Sequence, residues 1–295
     1  MKKFLILFTL FILFGSCKKK EDEVDILVTI YPFKLIIDEL SQQQLNIDVL
    51  LPQSVDPHTY ELVPSDLIKA QQSELFIYCD KNLDGWAAKL EAKNKIQLSD
   101  YLPDSLKLTI TDPILENPNH SHNHNHTHFD PHFWTDPVTV KAMIDNIVNL
   151  LIKHFPEKRI EFIENAEKFK DKLDELNSLV YQKTKLIENK NIFSSHPFYN
   201  YFFKRYEFKI VGFLEVSPGQ VLSPKEMKEI MDLVKENNVK AIFTNKQHSD
   251  RTTKILAESL GIKYYDLDPM GGTDELYDYA SIVNHNLKII EHALK

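Results

Sequence analysis

Two copies of one tripeptide, Asp56-Pro57-His58 and Asp130-Pro131-His132, constrain the fold of this chain more than any other feature. Each histidine is followed two positions later by an aromatic residue, Tyr60 in the first copy and Trp134 in the second. Proline fixes φ, lacks a backbone donor and favours an extended residue before it, so each histidine is expected on a stiff turn. One copy alone is typical of an ordinary loop. Two distant copies predict a fold that brings both imidazoles to a shared metal ion.

A histidine-rich segment precedes the second copy. Between residues 119 and 128, histidines alternate with polar residues, at His120, His122, His124, His126 and His128. Such a segment has no apolar face to bury and offers several imidazoles. It is therefore predicted to be an auxiliary metal-collecting loop.

The first residues predict export and lipid attachment. Two lysines precede an apolar run from Phe4 to Phe14, and Gly15-Ser16-Cys17 then leads into a charged stretch. A basic end, a short apolar core and small residues at a break are typical of a secretory signal, and the run is short for a transmembrane helix. With a cysteine at the break, residues 1–16 resemble a bacterial lipoprotein signal. Cys17 is the expected lipidation site and residues 17–24 a polar tether; the alternative is an ordinary signal with a chance cysteine.

Composition bounds the class of protein. The 295 residues are 43% hydrophobic and 26% charged, which is typical of a globular chain with two domains. The formal net charge of −8 argues against a nucleic-acid partner and modestly favours cations. If Cys17 carries lipid, Cys79 is the one cysteine left, so no intramolecular disulfide is expected.

Strands and helices alternate between residues 25 and 155, which predicts an N-terminal α/β lobe with a mostly parallel sheet. The apolar run from Ile26 to Ile30 is typical of a strand covered on both faces. A second strand, from Asn46 to Leu51, leads into the loop that carries His58. Ligands of such sheets gather beyond the carboxyl ends of strands, where His58 is expected.

A long helix is predicted after this lobe. Residues 157–189 contain neither Gly nor Pro and repeat apolar side chains at helical intervals. A coiled coil is the competing interpretation, but the apolar stripe is too brief to require a partner chain. Residues 156–189 are therefore expected to be a rigid connector that packs against both domains.

Residues 190–295 repeat the pattern and predict a second α/β lobe. His196 follows an apolar strand from Asn191 to Ser194, and Asp268 follows another that ends at Leu267. The overall prediction is an α/β protein with two similar lobes, mostly parallel sheets and a metal site in the cleft between them. We expect the four ligands His58, His132, His196 and Asp268 to meet there.

The chemistry of this set favours zinc. Three imidazoles and one carboxylate suit a borderline metal such as Zn²⁺, whereas Mg²⁺ or Ca²⁺ requires an oxygen-rich set. Asp56 and Asp130 are expected to order their own loops or to orient a neighbouring ligand. An apolar wall beside the metal is predicted from Tyr60, Trp134 and Phe198.

The ordered set of motifs resembles the zinc/manganese solute-binding proteins of bacterial ABC importers, in particular the zinc-uptake branch with a histidine-rich loop. The resemblance covers nearly all of the mature chain. It rests on these segments: Asp56 to Glu61 with Pro64-Ser65-Asp66, Asp130 to Pro137, Ser195-His196, Val239 to Thr244, and Leu267 to Gly271.

This resemblance implies a metal held between two lobes and passed to a membrane permease with its ATPase. The family's ligands correspond to His58, His132, His196 and Asp268. Manganese-binding relatives usually have a carboxylate at the third histidine position, so His196 favours Zn²⁺, with Mn²⁺ as the alternative. A monomer outside the cytoplasm, held at a membrane by its lipid, is the expected form.

Two positions depart from the family pattern. Pro197 stands where a small residue is usual, which bears on the placement of His196. Asn245-Lys246 replaces the common Glu-Pro before Gln247, and we expect this second change to be peripheral to the site.

Two other functions are weighed against metal transport. A zinc hydrolase would use a zinc-bound water, with Glu61 as its general base. The sequence contains no His-Glu-x-x-His motif, and a fourth protein ligand would close the coordination, so we expect no enzyme. The other alternative is a zinc buffer or adhesion protein that transfers its metal to no partner.

Overall fold

Two parallel sheets with the same internal strand order form the two lobes of the chain. The computed structural model describes residues 24–110, 128–215, 222–247 and 251–295. The predicted signal with Cys17 and the first four histidines of the metal-collecting loop lie outside these described residues. Among the helices within them, none has both the length and the apolar character needed to span a bilayer.

The N-terminal lobe is built on four parallel strands in the spatial order β2-β1-β3-β4. These strands are β1 (Ile26–Val28), β2 (Ile47–Val49), β3 (Leu75–Tyr78) and β4 (Lys95–Gln97). Their connections contain the helices α1 (Tyr31–Ser41), α2 (Pro64–Gln72) and α3 (Lys81–Asp84). All three residues of β1 are fully buried, as a strand covered on both faces requires.

A short antiparallel pair, β5 (Thr109–Ile110) and β6 (His128–Phe129), returns the chain to this lobe. Helix α4 (Pro137–His154) follows, with Pro137 in its first turn and Asp136 as its cap. The long helix α5 (Arg159–Thr184) comes next. Because α5 packs against α1, α4 and α9, it contacts both lobes, as expected of a connector.

The C-terminal lobe has the spatial strand order β10-β9-β7-β8. Read from β8 to β10, the second strand of the lobe lies at one edge, followed by the first, the third and the fourth, as in the N-terminal lobe. The strands are β7 (Asn191–Ser194), β8 (Lys209–Phe213), β9 (Ala241–Asn245) and β10 (Lys263–Leu267). The helices are α6 (Asn200–Arg205), α7 (Pro224–Glu236), α8 (Arg251–Leu260) and α9 (Tyr279–Leu294). The predicted two-lobed α/β fold is thus confirmed.

The two lobes share one continuous hydrophobic core. A single cluster of buried side chains extends from Ile26 in β1 through Phe169 in α5 to Leu267 in β10. Burial of apolar surface on this scale is the main term that stabilises the chain. The apolar core is therefore continuous from one lobe through the connector to the other.

Some element boundaries differ from those predicted. The first strand ends at Val28, and α1 already begins at Tyr31, because Pro32 occupies the first turn, where its missing N–H is tolerated. Helix α5 ends at Thr184 rather than at Asn189. The Thr184 hydroxyl donates to the carbonyl of Val180, an interaction that competes with the regular helical pattern.

Candidate metal centre

Three imidazoles converge in the cleft between the lobes. Each of His58, His132 and His196 offers one ring nitrogen, and these three atoms lie within 4.8 Å of one another. The ring centroids are 5.0 Å apart for His58 and His196, and 5.4 Å apart for each of the other two pairs. Sequence reasoning therefore selected three histidines that the fold does bring together.

One pair already has the spacing of zinc ligands. The Nε2 atoms of His58 and His132 are 3.3 Å apart. Two nitrogens bound at 2.0–2.1 Å to one tetrahedral Zn²⁺ are separated by roughly 3.3–3.4 Å. The two Asp-Pro-His turns thus hold half of a tetrahedral site in place.

The first turn is rigid because its backbone is fixed on both sides of the histidine. The carboxylate of Asp56 accepts the backbone N–H of His58 at 2.8 Å, and the indole N–H of Trp86 donates to the carbonyl of Pro57 at 2.8 Å. The Nδ1 atom of His58 lies 3.1 Å from the carbonyl of Asn82. A carbonyl only accepts, so this contact places the ring proton on Nδ1.

The second turn is held by a buried carboxylate. Asp130 is fully buried, and its Oδ1 accepts both the backbone N–H and the Nδ1–H of His132, at 3.0 and 2.8 Å. Below the turn, the thiol of Cys79 donates to the carbonyl of Pro131 at 3.3 Å. An imidazole oriented by a carboxylate through its distal nitrogen is typical of a zinc ligand. Asp130 therefore fulfils both predicted roles, whereas Asp56 accepts a hydrogen bond within its own loop.

The hydrogen-bond partners of the two Nδ1 atoms determine what the Nε2 atoms of His58 and His132 can bind. With the protons of both rings on Nδ1, the Nε2 atoms of His58 and His132 present lone pairs to each other across 3.3 Å. Neither atom can donate to the other in this tautomer, and the facing lone pairs repel. A cation between them converts the repulsion into two coordinate bonds.

A second buried carboxylate, that of Asp84, holds together the strand ends beneath the N-terminal half of the site. Asp84 is fully buried and accepts hydrogen bonds from the backbone N–H groups of Cys79 and Asp80 and from the hydroxyl of Thr29. Burial raises the pKa of Asp84 to about 6, against the opposing effect of these hydrogen bonds. Thr29 and Cys79 directly follow β1 and β3, so Asp84 ties together the two strand ends where the connections diverge to opposite faces.

The third imidazole comes from the C-terminal lobe. His196 follows β7, is 4% exposed, and its carbonyl accepts the hydroxyl of Ser194 at 2.8 Å. Its ring stands nearly perpendicular to those of His58 and His132, at 82° and 84°. The unusual Pro197 is therefore compatible with a histidine that faces the other two.

Asp268, the predicted fourth ligand, lies outside the three-histidine group, although the next two residues, Pro269 and Met270, line the cleft. Its Oδ1 accepts the backbone N–H groups of Met270 and Gly271 at 3.1 and 2.9 Å and lies 3.3 Å from the side-chain nitrogen of Gln247. Its Oδ2 lies 3.4 Å from the ammonium of Lys246. The expectation that Lys246 is peripheral is wrong, because this lysine contacts the predicted ligand.

The apolar wall consists of two of the three predicted aromatic residues. Trp134 and Phe198 line the cleft beside His58 and His132. Tyr60 instead packs edge-on against Trp86, with ring centroids 4.9 Å apart, and its hydroxyl donates to Asp66 at 2.8 Å. Tyr60 is not among the residues that line the cleft, so this third assignment is wrong.

The structure adds polar residues that sequence reasoning missed. Asn245 and Gln247 line the cleft together with His58 and His132. The carbonyl of Asn82 orients the ring of His58. For Asn245 and Gln247, the one available signal was the departure from the family pattern at Asn245-Lys246. The contact of Asn82 is made by its backbone carbonyl, which leaves no signal in the sequence.

The second Asp-Pro-His segment also joins the lobes. The indole N–H of Trp134 donates to the carbonyl of Pro269 at 2.9 Å, and the hydroxyl of Tyr279 donates to the carbonyl of Trp134 at 2.8 Å. The guanidinium of Arg205 bonds to the carboxylate of Asp136 at 2.9 Å. The residues that carry His132 therefore also set its distance from the C-terminal lobe.

Of the five loop histidines, only His128 belongs to the described residues. It lies in β6, is exposed and is not part of the three-histidine group. His120, His122, His124 and His126 lie outside the described residues, so their predicted metal-collecting role stays a prediction.

Two similar α/β lobes, a helical connector and three imidazoles in the intervening cleft define a solute-binding protein whose ligand is a metal ion. Comparison with known families agrees: the model of the family described as zinc-uptake complex component A, periplasmic, matches residues 26–293. The chain belongs to this family, as the motifs predicted.

Individual relatives cover most of the chain. The high-affinity zinc uptake system protein ZnuA of Bacillus subtilis strain 168 is 27% identical over 288 residues, 95% of this chain and 90% of that protein. The zinc-binding lipoprotein AdcA of Streptococcus pneumoniae strain R6 is 26% identical over 99% of this chain. AdcA is longer, and the match covers 61% of its length. The structure of a Zn(II)-bound mutant variant of AdcAII from Streptococcus pneumoniae has a TM-score of 0.77 and 25% identity, covering 92% of this chain and 98% of that one.

Proposed function

We propose that this chain binds Zn²⁺ outside the cytoplasm and delivers it to the permease of an ABC-type importer for zinc uptake. The observation that carries the proposal is the 3.3 Å separation of the Nε2 atoms of His58 and His132, whose distal nitrogens contact Asn82 and Asp130. Two relatives are named as zinc-uptake or zinc-binding proteins, which agrees with this function.

The division of ligands between lobes accounts for both capture and release. His58 and His132 belong to the lobe formed by residues 25–155 and offer a preformed pair. His196 belongs to the lobe formed by residues 190–295 and completes the site when the lobes approach, with residues 156–189 as connector. Separation of the lobes at the permease would remove one of three imidazoles and so weaken the hold on the cargo.

Nitrogen ligands favour zinc over manganese as the cargo. Three imidazoles suit Zn²⁺, while Mn²⁺ prefers carboxylate and water oxygens. Metal analysis of the purified chain, together with competition between Zn²⁺ and Mn²⁺, tests the assignment. One tightly bound zinc per chain that excess manganese does not displace is expected. Preferential retention of manganese would refute zinc as the cargo.

The hydrolase alternative lacks support from the site. Glu61, its predicted general base, is exposed, and the described lining of the cleft includes Asp56 as its carboxylate rather than Glu61. The carboxylate of Asp56 is occupied by the backbone N–H of His58. The family is one of solute-binding proteins, and we propose a monomeric carrier without enzymatic activity.

Attachment to a membrane through Cys17 is part of the proposal. Substitution of Cys17 by alanine should release the chain from the membrane fraction, because multiple acyl chains on one cysteine are needed for stable anchoring. Fractionation followed by immunoblotting measures this directly. Cys79→Ala is the matched control, since Cys79 is buried and should stay unmodified. Retention of the Cys17→Ala protein in the membrane fraction would contradict the anchor.

The histidine-rich segment is expected to collect zinc weakly without forming the tight site. Holding two of its imidazoles on one ion requires ordering of the polar backbone between them, at roughly 1–2 kcal/mol per residue fixed. Deletion of residues 119–128 should therefore leave one tight zinc equivalent and remove the weaker ones in titration calorimetry. Loss of the tight equivalent would mean that this segment supplies ligands to the central site.

A further inference from the structure

Lys246 lies where it can compete with the metal for Asp268. Its ammonium is 3.4 Å from Oδ2 of Asp268, the oxygen that the loop does not use. The other oxygen of Asp268 is occupied by the backbone N–H groups of Met270 and Gly271. A fourth metal bond from this carboxylate would therefore have to use the oxygen that Lys246 contacts.

The two members of this ion pair are in different environments. The side chain of Asp268 is 4% exposed, and that of Lys246 is 49% exposed. A buried carboxylate requires a countercharge or strong hydrogen bonds, so Asp268 depends on its partners. The separation of 3.4 Å is longer than the 2.7–2.9 Å typical of a strong charge-assisted hydrogen bond, and the ammonium has direct access to solvent. The pair is thus loosely held and can dissociate without burying the lysine charge.

We propose that Lys246 is an internal competitor for the metal: it neutralises Asp268 in the empty cleft, leaves when zinc arrives, and returns to Asp268 as zinc departs. This inference rests on the proposed function and concerns the regulation of the same site. Lys246 thereby tunes the affinity for zinc and the rate of zinc release. Its half-exposed side chain has the freedom to move that this exchange requires.

The physical basis is the competition of two cations for one oxygen. Zn²⁺ and an ammonium repel each other at the same carboxylate oxygen, so the zinc-bound form with Asp268 as ligand excludes the Lys246 contact. Zinc can bind Asp268 only in the fraction of molecules in which Lys246 has left it. The apparent zinc affinity is reduced in proportion to that fraction. A half-exposed ion pair is worth up to about 1 kcal/mol, which corresponds to a factor of about five in zinc affinity.

The same competition affects release more than capture. Among the described residues, Lys246 contacts Asp268, the predicted fourth ligand, rather than an imidazole of the site. Its return to Asp268 therefore stabilises the state in which zinc has lost the carboxylate. The effect should be found in the dissociation rate, where most affinity differences between related complexes lie.

Zinc affinity of Lys246→Met, Lys246→Arg and Lys288→Met, measured by chelator competition on the full chain, tests the proposal. Methionine keeps the length of the side chain and removes its charge, so Lys246→Met should bind zinc about fivefold more tightly and release it about fivefold more slowly in a chelator chase. Lys246→Arg should resemble the wild type. Lys288, an exposed lysine on α9, controls for general loss of positive charge and should have no such effect.

The Asp268→Asn background separates competition from other causes. There, Lys246→Met should bring no gain, because the carboxylate for which the two cations compete is absent. An unchanged or weaker affinity of Lys246→Met in the wild-type background would overturn the proposal. A gain that persists with Asn at position 268, or that Lys288→Met reproduces, would overturn it as well.

A measurement without metal keeps this test distinct from that of the proposed function. In the metal-free chain, Lys246→Met should lower the melting temperature, and should do so less in the Asp268→Asn background, because the buried carboxylate loses its countercharge only when it is present. A wild-type chain without a tight zinc site would refute the proposed function itself. A wild-type chain that binds zinc tightly, with no gain from Lys246→Met, would refute the role of Lys246 alone.

Discussion

Replacement of His132 by alanine should lower the zinc affinity by more than about 100-fold, a larger loss than that from substitution of any group that only orients a ligand. His132 is 3% exposed and its Nε2 is already paired with that of His58, so no other described side chain can take its place without rebuilding the turn. Competition against a zinc chelator measures the change.

Two further variants make this result specific. His292→Ala should leave the affinity unchanged, because His292 is exposed on α9 and lies outside the three-histidine group. Asp130→Asn should cost about 10- to 100-fold, because an amide oxygen still accepts the Nδ1–H of His132 but no longer contributes a negative charge. If His132→Ala kept wild-type affinity, the assignment of the central site would be wrong.

Sequence reasoning located the three histidines because each stands beside a local signal. Two follow Asp-Pro, and the third follows a buried strand. His58 and His196 were each expected beyond the carboxyl end of a strand. The fold class came from the alternation of apolar runs and helical patterns, which local propensity and burial determine. His58 and His196 follow strands of the two parallel sheets, whereas His132 follows β6 of the antiparallel pair, so the repeated topology alone does not account for the convergence of the rings.

The surroundings of Asp268 were beyond such reasoning. Whether a carboxylate faces a metal or its own loop depends on backbone direction over a few residues, and here two backbone N–H groups of residues 270 and 271 capture Oδ1. The contact of Lys246 with Asp268 joins the end of β9 to the end of β10, two neighbouring parallel strands. Pairing of these strands is visible only in the folded chain, so a substitution in the sequence motif looked peripheral.

The partnership of His132 with the C-terminal lobe was equally hidden in the sequence. Asp136 reads as a helix cap before Pro137, and it does cap α4 by accepting the N–H of Val138 at 3.1 Å. Its second oxygen accepts the hydroxyl of Thr139 at 2.6 Å and the guanidinium of Arg205 at 2.9 Å. A cap residue thus also connects the segment that carries His132 to α6 in the other lobe.

Substitution of Asp136 by alanine should therefore lower the free energy of unfolding by about 3 kcal/mol. Loss of a cap costs about 1 kcal/mol. Breaking an ion pair in which Asp136 is 1% exposed and Arg205 is about one-third exposed adds less than the 3–5 kcal/mol expected for a fully buried pair. Urea unfolding of the metal-free chain measures the sum.

Two controls separate these contributions. Asp136→Asn keeps an oxygen that can accept the N–H of Val138 and removes the charge, so it should recover the part of the loss that belongs to the cap. Asp174→Ala breaks the exposed pair with Lys141 and should cost less than about 1 kcal/mol, since water already solvates both charges. Equal losses from Asp136→Ala and Asp174→Ala would show that the Asp136–Arg205 pair does not join the lobes energetically.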